Sequence, residues 1–412
     1  MKTGYKTFVS LIVSVMLILT LILPCFAVDA APGGNRYPYV FVHGMMGWGS
    51  YDGVEKVEPY WGVWNGDMLE DLRSQGYECY AASVGKISSN WDRACELYAQ
   101  LAGTVVDYGE VHSARCGHAR YGRSYEGNAL MKDFGATKIN IFGHSLGGPT
   151  ARLFAWLMEN GSPEEVAASG EGASDLFKGG KGSWINSVTT FSAPHNDSPV
   201  ANVLNDRLPA AAMLASMANI LGVGPAAGFW DYQLEQFGLT SVRSQGIRAR
   251  FSLLKIKNFV ESQDHCGYDL TLRGAAEINE KIDPVDGIYY FSYSNRRDIE
   301  TPLGTYVPPL GIFPMFYPTG LFLGALHGQT VDGIKMTEEW KDNDGMVPVI
   351  SSRAPFGEAQ VEFTSPGDVT QTGVWYIMPT IDNFSHVSYM GMDSTDYQQY
   401  YEYQMQLIDS LS

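Results

Sequence analysis

The sequence predicts an α/β protein with a mostly parallel central sheet and helices on both of its faces. Short apolar segments with strand character alternate along the chain with longer segments of helical pattern, which is typical of parallel sheets covered on both sides. The chain has 412 residues, of which 45% are hydrophobic and 18% charged. That composition indicates a globular chain with a large core rather than a disordered one.

The first 30 residues have the pattern of a leader. Lys2 and Lys6 precede an apolar run that extends from Phe8 to about Ala27. A basic start, an apolar stretch and small residues at its end predict a secretory signal peptide over residues 1–30 and one domain over residues 31–412. The run is also long enough for an uncleaved membrane anchor, which stays open as the alternative. We therefore expect a secreted, extracellular protein.

Charge and cysteine content restrict the partners and the covalent framework. The formal net charge is −17, and loss of the leader would remove two lysines as well. Such a chain should repel nucleic acids and anionic membrane surfaces. The cysteines outside the leader are too few for a disulfide scaffold, although one or two bridges are possible and Cys116–Cys266 is a candidate pair.

The individual strands and helices follow from the hydrophobic pattern and from the residues that end it. We predict strands at residues 37–42, 77–82, 138–142, 185–191, 289–293 and 374–377. We predict helices at residues 66–75, 90–101, 146–160 and 395–411. The region 103–127 shows no clean period and is predicted to be an inserted loop region.

One motif lies at a predicted junction of strand and helix. Gly143-His144-Ser145-Leu146-Gly147 matches G-x-S-x-G, follows a predicted strand directly and precedes a predicted helix. In that context the serine occupies a strained turn, and the glycines leave room for neighbouring backbone to pass close by. The N-terminus of the following helix favours the negative charge that develops at the reacting centre. The motif predicts an α/β-hydrolase fold with Ser145 as nucleophile.

A serine nucleophile needs a base and an acid that orients the base, and in this fold they follow the serine in the order acid, then histidine. His386 follows the last predicted strand and precedes the final helix, so it is the best base among the later histidines. Asp344, in the turn Asp342-Asn343-Asp344-Gly345, is the predicted acid, with Asp342 as the alternative. The oxyanion hole is predicted from the backbone amides of Met45 and Leu146.

Several segments resemble the zinc-containing lipases of thermophilic bacilli and staphylococci. The main ones are His43-Gly44-Met45-Met46-Gly47-Trp48, the block from Asn90 to Arg123, Tyr268-Asp269-Leu270 and Asn343-Asp344-Gly345. The resemblance covers nearly the whole chain after the leader. It implies the triad Ser145, Asp344 and His386, and an enzyme that hydrolyses carboxylic esters such as triacylglycerols, with polyesters as a further substrate class.

The resemblance also implies structural zinc in an insertion formed by residues 85–125 and 225–245. Asp92, His112 and His118 match three ligands of the family, and Glu235 occupies the position of the fourth, where the family has Asp. Asp231 and Cys116 remain alternatives for that fourth ligand. Because protein groups would fill every coordination position, the metal is expected to stabilise rather than to catalyse.

The implied calcium site is weaker than the zinc site. Gly311 and Asp393 match ligand positions, but Ser388 and Ser394 stand where the family has an acidic residue and a proline. A hard cation needs several anionic oxygens, so the lost carboxylate counts against calcium.

Residues 199–224 correspond to the family's helical lid, which would contact a lipid interface transiently. A plain core helix is the alternative reading of its apolar pattern. Two other functions also remain open at this point: an acyltransferase that uses the same triad, and a lipid-binding protein without catalysis.

Overall fold

A computed structural model describes residues 36–207, 231–239 and 253–411. The predicted leader and residues 208–224 of the predicted lid lie outside the described residues, as does part of the predicted second zinc segment. In the parts of the chain that are described, no helix is both long enough and apolar enough to cross a membrane.

The centre of the molecule is a seven-stranded sheet in which every neighbouring pair is parallel. Its strands are β1 (Tyr39–Val42), β2 (Cys79–Ala82), β5 (Ile139–His144), β6 (Ile185–Phe191), β7 (Tyr289–Tyr293), β13 (Gln360–Glu362) and β14 (Trp375–Ile377). Their spatial order is β13-β14-β7-β6-β5-β1-β2. Six of these strands match predicted strands, and the edge strand β13 was not predicted.

In the described part of the chain, the other strands form four two-stranded sheets. They are β3 (Val105–Asp107), β4 (Tyr121–Ser124), β8 (Asn295–Arg296), β9 (Ile299–Glu300), β10 (Tyr306–Val307), β11 (Thr330–Val331), β12 (Ile334–Lys335) and β15 (Ile381–Asp382). The helices are α1 (Met68–Ser74), α2 (Asn90–Ala102), α3 (Glu110–Cys116), α4 (Gly147–Asn160), α5 (Pro163–Ser169), α6 (Pro199–Arg207), α7 (Leu253–Glu261), α8 (Cys266–Asp269), α9 (Leu272–Asn279), α10 (Phe316–Gly324), α11 (Val349–Arg353) and α12 (Gln398–Ser410).

Strand β1 shows why the sheet is covered on both faces. All four of its residues are buried. Alternate side chains of a strand point to opposite faces, and accordingly Val40 and Val42 pack in one apolar cluster while Tyr39 and Phe41 pack in another. A strand that is apolar at every position therefore requires a layer on each side, as the sequence pattern indicates.

Two expectations are corrected by the structure. The region 103–127 is not a plain loop, because β3, α3 and β4 lie within it and β3 pairs antiparallel with β4. Each element there is at most seven residues long, too short to produce a clear period. The predicted Cys116–Cys266 bridge is wrong, since both residues are free thiols.

Candidate active site

The turn around Ser145 joins β5 to α4. Ser145 has a φ of +54°, in the left-handed region that costs a non-glycine residue about 1–3 kcal/mol. A Cβ on Gly143 would lie 2.5 Å from the Gly147 carbonyl oxygen, and one on Gly147 would lie 2.1 Å from the Val42 carbonyl oxygen. Only glycine fits at these two positions, and the serine is held in the strained turn between them.

Ser145, His386 and Asp344 form one hydrogen-bonded relay. Ser145 Oγ lies 2.9 Å from His386 Nε2, and His386 Nδ1 lies 2.8 Å from Asp344 Oδ2. The other carboxylate oxygen of Asp344 accepts hydrogen bonds from the amides of Met346 and Val347, at 2.8 and 2.7 Å. The structure thus brings together the three residues that the sequence selects for the triad.

Asp342, the alternative acid, belongs to a different set of contacts. Its Oδ2 lies 3.0 Å from Nη1 of Arg296, an arginine that also pairs with Asp382. The carboxylate that reaches the base is therefore that of Asp344.

His144 and Tyr60, which the sequence analysis did not single out, support the base from behind. His144 Nε2 lies 2.9 Å from the carbonyl oxygen of His386, and His144 Nδ1 lies 2.7 Å from the hydroxyl of Tyr60. Since a carbonyl only accepts, Nε2 carries the proton and Nδ1 accepts from the tyrosine. Burial, with a smaller contribution from His386, lowers the pKa of His144 to about 3, so the ring is neutral.

The loop that carries Met45 packs directly against the nucleophile. A Cβ on Gly44 would lie 2.8 Å from Cβ of Ser145. Buried Lys86 braces the loop, because its Nζ donates to the Gly47 carbonyl at 2.9 Å and its carbonyl accepts from the Met46 amide at 2.9 Å. His43, at the start of the same loop, is fully buried. The roles of Met45 and Leu146 as oxyanion donors stay a prediction.

A second group of histidines and carboxylates combines three residues of the predicted insertion with Asp264, which lies outside it. His112 Nε2 lies 3.3 Å from an oxygen of both Asp92 and Asp264. His118 Nε2 lies 3.0 Å from Asp264 and 3.9 Å from Asp92. Within the described chain, one ligand-type atom of each of these four side chains is buried without a hydrogen-bond partner: Asp92 Oδ1, His112 Nε2, His118 Nε2 and Asp264 Oδ2.

The tautomer of His118 explains why its Nε2 lies near the carboxylates without donating a hydrogen bond to them. Its Nδ1 lies 2.8 Å from the Ala119 carbonyl, so Nδ1 carries the proton and the lone pair of Nε2 faces the carboxylates. Burial and the charge of Asp264 raise the pKa of Asp92. Two buried carboxylates and an imidazole lone pair repel each other unless a cation or protons lie between them. The residues therefore fit a bound metal ion.

Comparison with known proteins identifies the family. A model described as the lipase-like, C-terminal domain matches residues 35–411. The chain belongs to this lipase-like family. Lipase 2 of Staphylococcus aureus is 34% identical over 367 residues, which are 88% of this chain and 51% of that protein. The chain thus spans about half the length of the curated relatives it matches.

Solved structures of similar proteins share the fold. EstA from Clostridium botulinum superposes with a TM-score of 0.80 at 35% identity, over 92% of this chain and 88% of that chain. The Staphylococcus hyicus lipase gives a TM-score of 0.75 at 32% identity, over 92% of this chain and 98% of that chain. The predicted resemblance to staphylococcal lipases and the α/β-hydrolase fold are both confirmed.

The fourth side chain of the cluster differs from the predicted fourth ligand. Glu235 forms an ion pair with Arg123, which also pairs with Asp231 at 2.8 Å, so neither acid points to the histidines. Asp264 takes that place instead. The neighbour of Glu235 contacts the cluster: Gln236 Nε2 donates to Asp92 Oδ2 at 2.7 Å. Cys116, the other alternative, stays open: its Sγ lies 4.0 Å from His112 Nδ1, and ligand-type atoms of His112, Cys116, His118 and Asp264 all lie within 4.8 Å of one another.

The two predicted calcium residues lie close to each other, but a side chain occupies the space between them. Arg297 Nη1 lies 2.8 Å from Asp393 Oδ2, and Arg297 Nη2 donates to the Gly311 carbonyl at 3.3 Å. Ser388 contributes a hydroxyl to Asp393 at 2.5 Å rather than a second carboxylate. The residues present do not fit calcium, because a guanidinium already supplies the positive charge.

Proposed function

We propose that the chain is a secreted serine hydrolase that cleaves carboxylic esters, with triacylglycerols as the main substrate class. The observation that carries the proposal is the continuous relay from Ser145 through His386 to Asp344, at 2.9 and 2.8 Å. The printed names of the relatives, Lipase 2 among them, support the same reaction class. The leader of residues 1–30 supports export.

The relay suits an acyl-enzyme mechanism. Ser145 Oγ attacks the ester carbonyl carbon while His386 Nε2 takes its proton, and Asp344 stabilises the imidazolium. The amides of Met45 and Leu146 would hold the oxyanion. The tetrahedral intermediate then collapses, and His386 returns the proton to the departing alcohol. Water, activated by the same histidine, attacks the acyl-serine and releases the acid.

The surroundings of the relay favour an apolar acyl group. The ring of Phe316 lies 5.9 Å from the His386 ring, between centroids. Met315, Leu310 and Trp64 are exposed, and Trp64 contacts Phe313, which packs against Phe316. The net charge of −17 disfavours anionic substrates. Neutral esters with long acyl chains, including polyester chains, match this apolar surface.

We also propose that the cluster of Asp92, His112, His118 and Asp264 holds structural zinc. Two imidazole nitrogens and two carboxylate oxygens are ligand types and a ligand number that suit tetrahedral zinc. The purified protein should contain equimolar zinc by elemental analysis, and chelation should lower its melting temperature. Metal-replete protein without zinc, and with an unchanged melting temperature after chelation, would exclude the site.

The function is tested with p-nitrophenyl esters of rising chain length and a triglyceride emulsion. We expect turnover of both, with a preference for longer acyl chains. Ser145→Ala should reduce kcat by about 10⁴-fold or more, whereas Ser74→Ala, on an exposed position of α1, should leave it unchanged. Retained turnover in Ser145→Ala would refute the nucleophile. Product analysis with and without an added alcohol separates hydrolysis from acyl transfer.

A further inference from the structure

Arg297 connects the two loops that carry the acid and the base of the relay. Its backbone amide donates to the Asn343 carbonyl at 2.9 Å, directly before Asp344 in the chain. Its guanidinium reaches Asp393 at 2.8 Å and the Gly311 carbonyl at 3.3 Å. One residue thus contacts the acid loop through its backbone and Asp393, seven residues after His386, through its side chain.

Asp393 in turn organises the loop of His386. Its Oδ2 accepts hydrogen bonds from Ser385 Oγ, directly before the base, at 3.2 Å and from Ser388 Oγ, two residues after it, at 2.5 Å. Its Oδ1 accepts from the Thr395 amide at 3.1 Å. Although burial alone would raise it, these hydrogen bonds and the charge of Arg297 lower the pKa of Asp393.

The charges at this position favour an arginine and exclude a divalent cation. Calcium takes about six to eight oxygen ligands, several of them anionic. Among the described residues that contact Arg297 and Asp393 here, Asp393 is the one carboxylate, Ser385 and Ser388 offer neutral hydroxyls, and Arg297 already neutralises the aspartate. The guanidinium side chain is only 19% exposed, so a dication placed beside it would meet repulsion that water screens poorly.

We propose that Arg297 is a positioning residue that replaces a bound divalent cation, so that an internal ion pair holds His386 in place and the enzyme needs no calcium. The proposal rests on the proposed role of His386 as the catalytic base. It makes two separate claims. Calcium does not raise the melting temperature of the protein, and the guanidinium of Arg297 holds the loop of His386 in place.

The first experiment measures melting temperature and does not depend on activity. Full-length protein is dialysed into buffer with micromolar zinc and no calcium, and then receives about 5 mM calcium or magnesium, well above the dissociation constants of weak extracellular calcium sites. We expect the two salts to give the same melting temperature. A rise with calcium that magnesium does not produce would overturn the proposal.

The second experiment removes the guanidinium. Arg297→Met keeps side-chain length and should lower kcat on a soluble ester by about 10- to 100-fold through misplacement of the base, with little change in KM. Arg297→Lys should recover part of that loss, because an ammonium can still pair with Asp393. The control is Arg273→Met, which removes an exposed arginine from helix α9. An Arg297→Met variant that matches this control would refute the anchoring role.

A double variant tests whether the guanidinium occupies a cation's place. Arg297→Met with Ser388→Asp removes the internal cation and adds a carboxylate beside Asp393. We expect calcium, and not magnesium, to raise the melting temperature of this variant but not that of the wild type. An equal response of the two proteins, including none, would overturn the proposal. Loss of ester turnover in Ser145→Ala tests the proposed function separately.

Discussion

Two groups of histidines and aspartates in this molecule differ in how their polar atoms are satisfied. In the relay, each ring nitrogen of His386 has a partner, Ser145 on one side and Asp344 on the other. In the cluster on the insertion, His112 and His118 turn nitrogens toward two carboxylates that give them no hydrogen bond. The relay is satisfied by hydrogen bonds among its own side chains, whereas the cluster turns ligand-type atoms toward one another.

The difference follows from what each group must do. A base that moves a proton needs a fixed tautomer and a partner for each nitrogen, so its hydrogen bonds are closed before substrate arrives. A structural metal site needs lone pairs aimed at one point, so its ligand atoms stay unbonded to each other. Similar residue types therefore serve opposite purposes, and substitutions should separate the two groups by their effects on activity and stability.

The largest expected effect is on the relay. Asp344→Asn keeps the shape of the acid but removes the charge that orients His386, and should lower kcat by about 10⁴-fold. The melting temperature should change little by comparison, and metal content should not change. Activity on a soluble p-nitrophenyl ester, with zinc measured in the same preparation, checks this prediction.

Asp342→Asn is the matched control for that variant. Asp342 lies two residues away and pairs with Arg296 rather than with the base, so its kcat should stay within a few-fold of wild type. If the two variants lost activity equally, the assignment of Asp344 as the acid would be wrong.

The next largest effect is expected at the cluster. Asp264→Ala removes one member of a buried charged set, which costs about 3–5 kcal/mol of unfolding free energy. Zinc content should fall with it, while the relay distances and the KM for a soluble ester should be retained at temperatures where the variant is folded. Denaturant unfolding and elemental analysis of the purified variant measure both effects.

Glu235→Gln separates Glu235 from Asp264 as the fourth ligand. Its ion pair with Arg123 is one-third exposed, so we expect a loss of at most about 1 kcal/mol and full zinc content. If Glu235→Gln lost its zinc while Asp264→Ala kept it, Glu235 would be the fourth ligand, as the resemblance implies.

The sequence predicted the relay better than the cluster for a physical reason. Ser145 lies in a local motif whose strand, turn and helix are contiguous, and His386 has a fixed place after the last strand. Asp264 reaches the cluster only through tertiary contacts, because a bridge between Ser88 and His265 brings its loop beside the start of α2. The run Asp264-His265-Cys266, three ligand-type residues in succession, was the available signal.

Arg297 shows a second limit of sequence reasoning. The losses at Ser388 and Ser394 indicated a weakened calcium site, and the structure agrees. The group that stands in place of the ion is a long arginine side chain that extends from the end of β8, and no local sequence pattern encodes where such a side chain reaches.

The central sheet was predictable because burial on both faces leaves continuous apolar strands. The edge strand β13 is only three residues long and has two exposed residues, so it shows no such pattern.

A further expected effect concerns the support of the relay by His144. Its pKa is about 3 in the folded protein, against 6.5 for an unperturbed histidine. The unfolded chain therefore binds one more proton below pH 6.5, so this contribution to stability is present above that pH and is lost as the pH falls. Between pH 7 and pH 5 the loss should be about 2 kcal/mol, roughly 1.4 kcal/mol for each unit of pH below the unfolded pKa.

His144→Asn removes that titration while an amide can still donate to the His386 carbonyl. The variant should be less stable than wild type at pH 7, yet its free energy of unfolding should fall less steeply toward pH 5. Urea unfolding of both proteins at the two pH values, with zinc content checked in each sample, measures the difference in slope. Parallel pH profiles would mean that His144 is not held neutral behind the base.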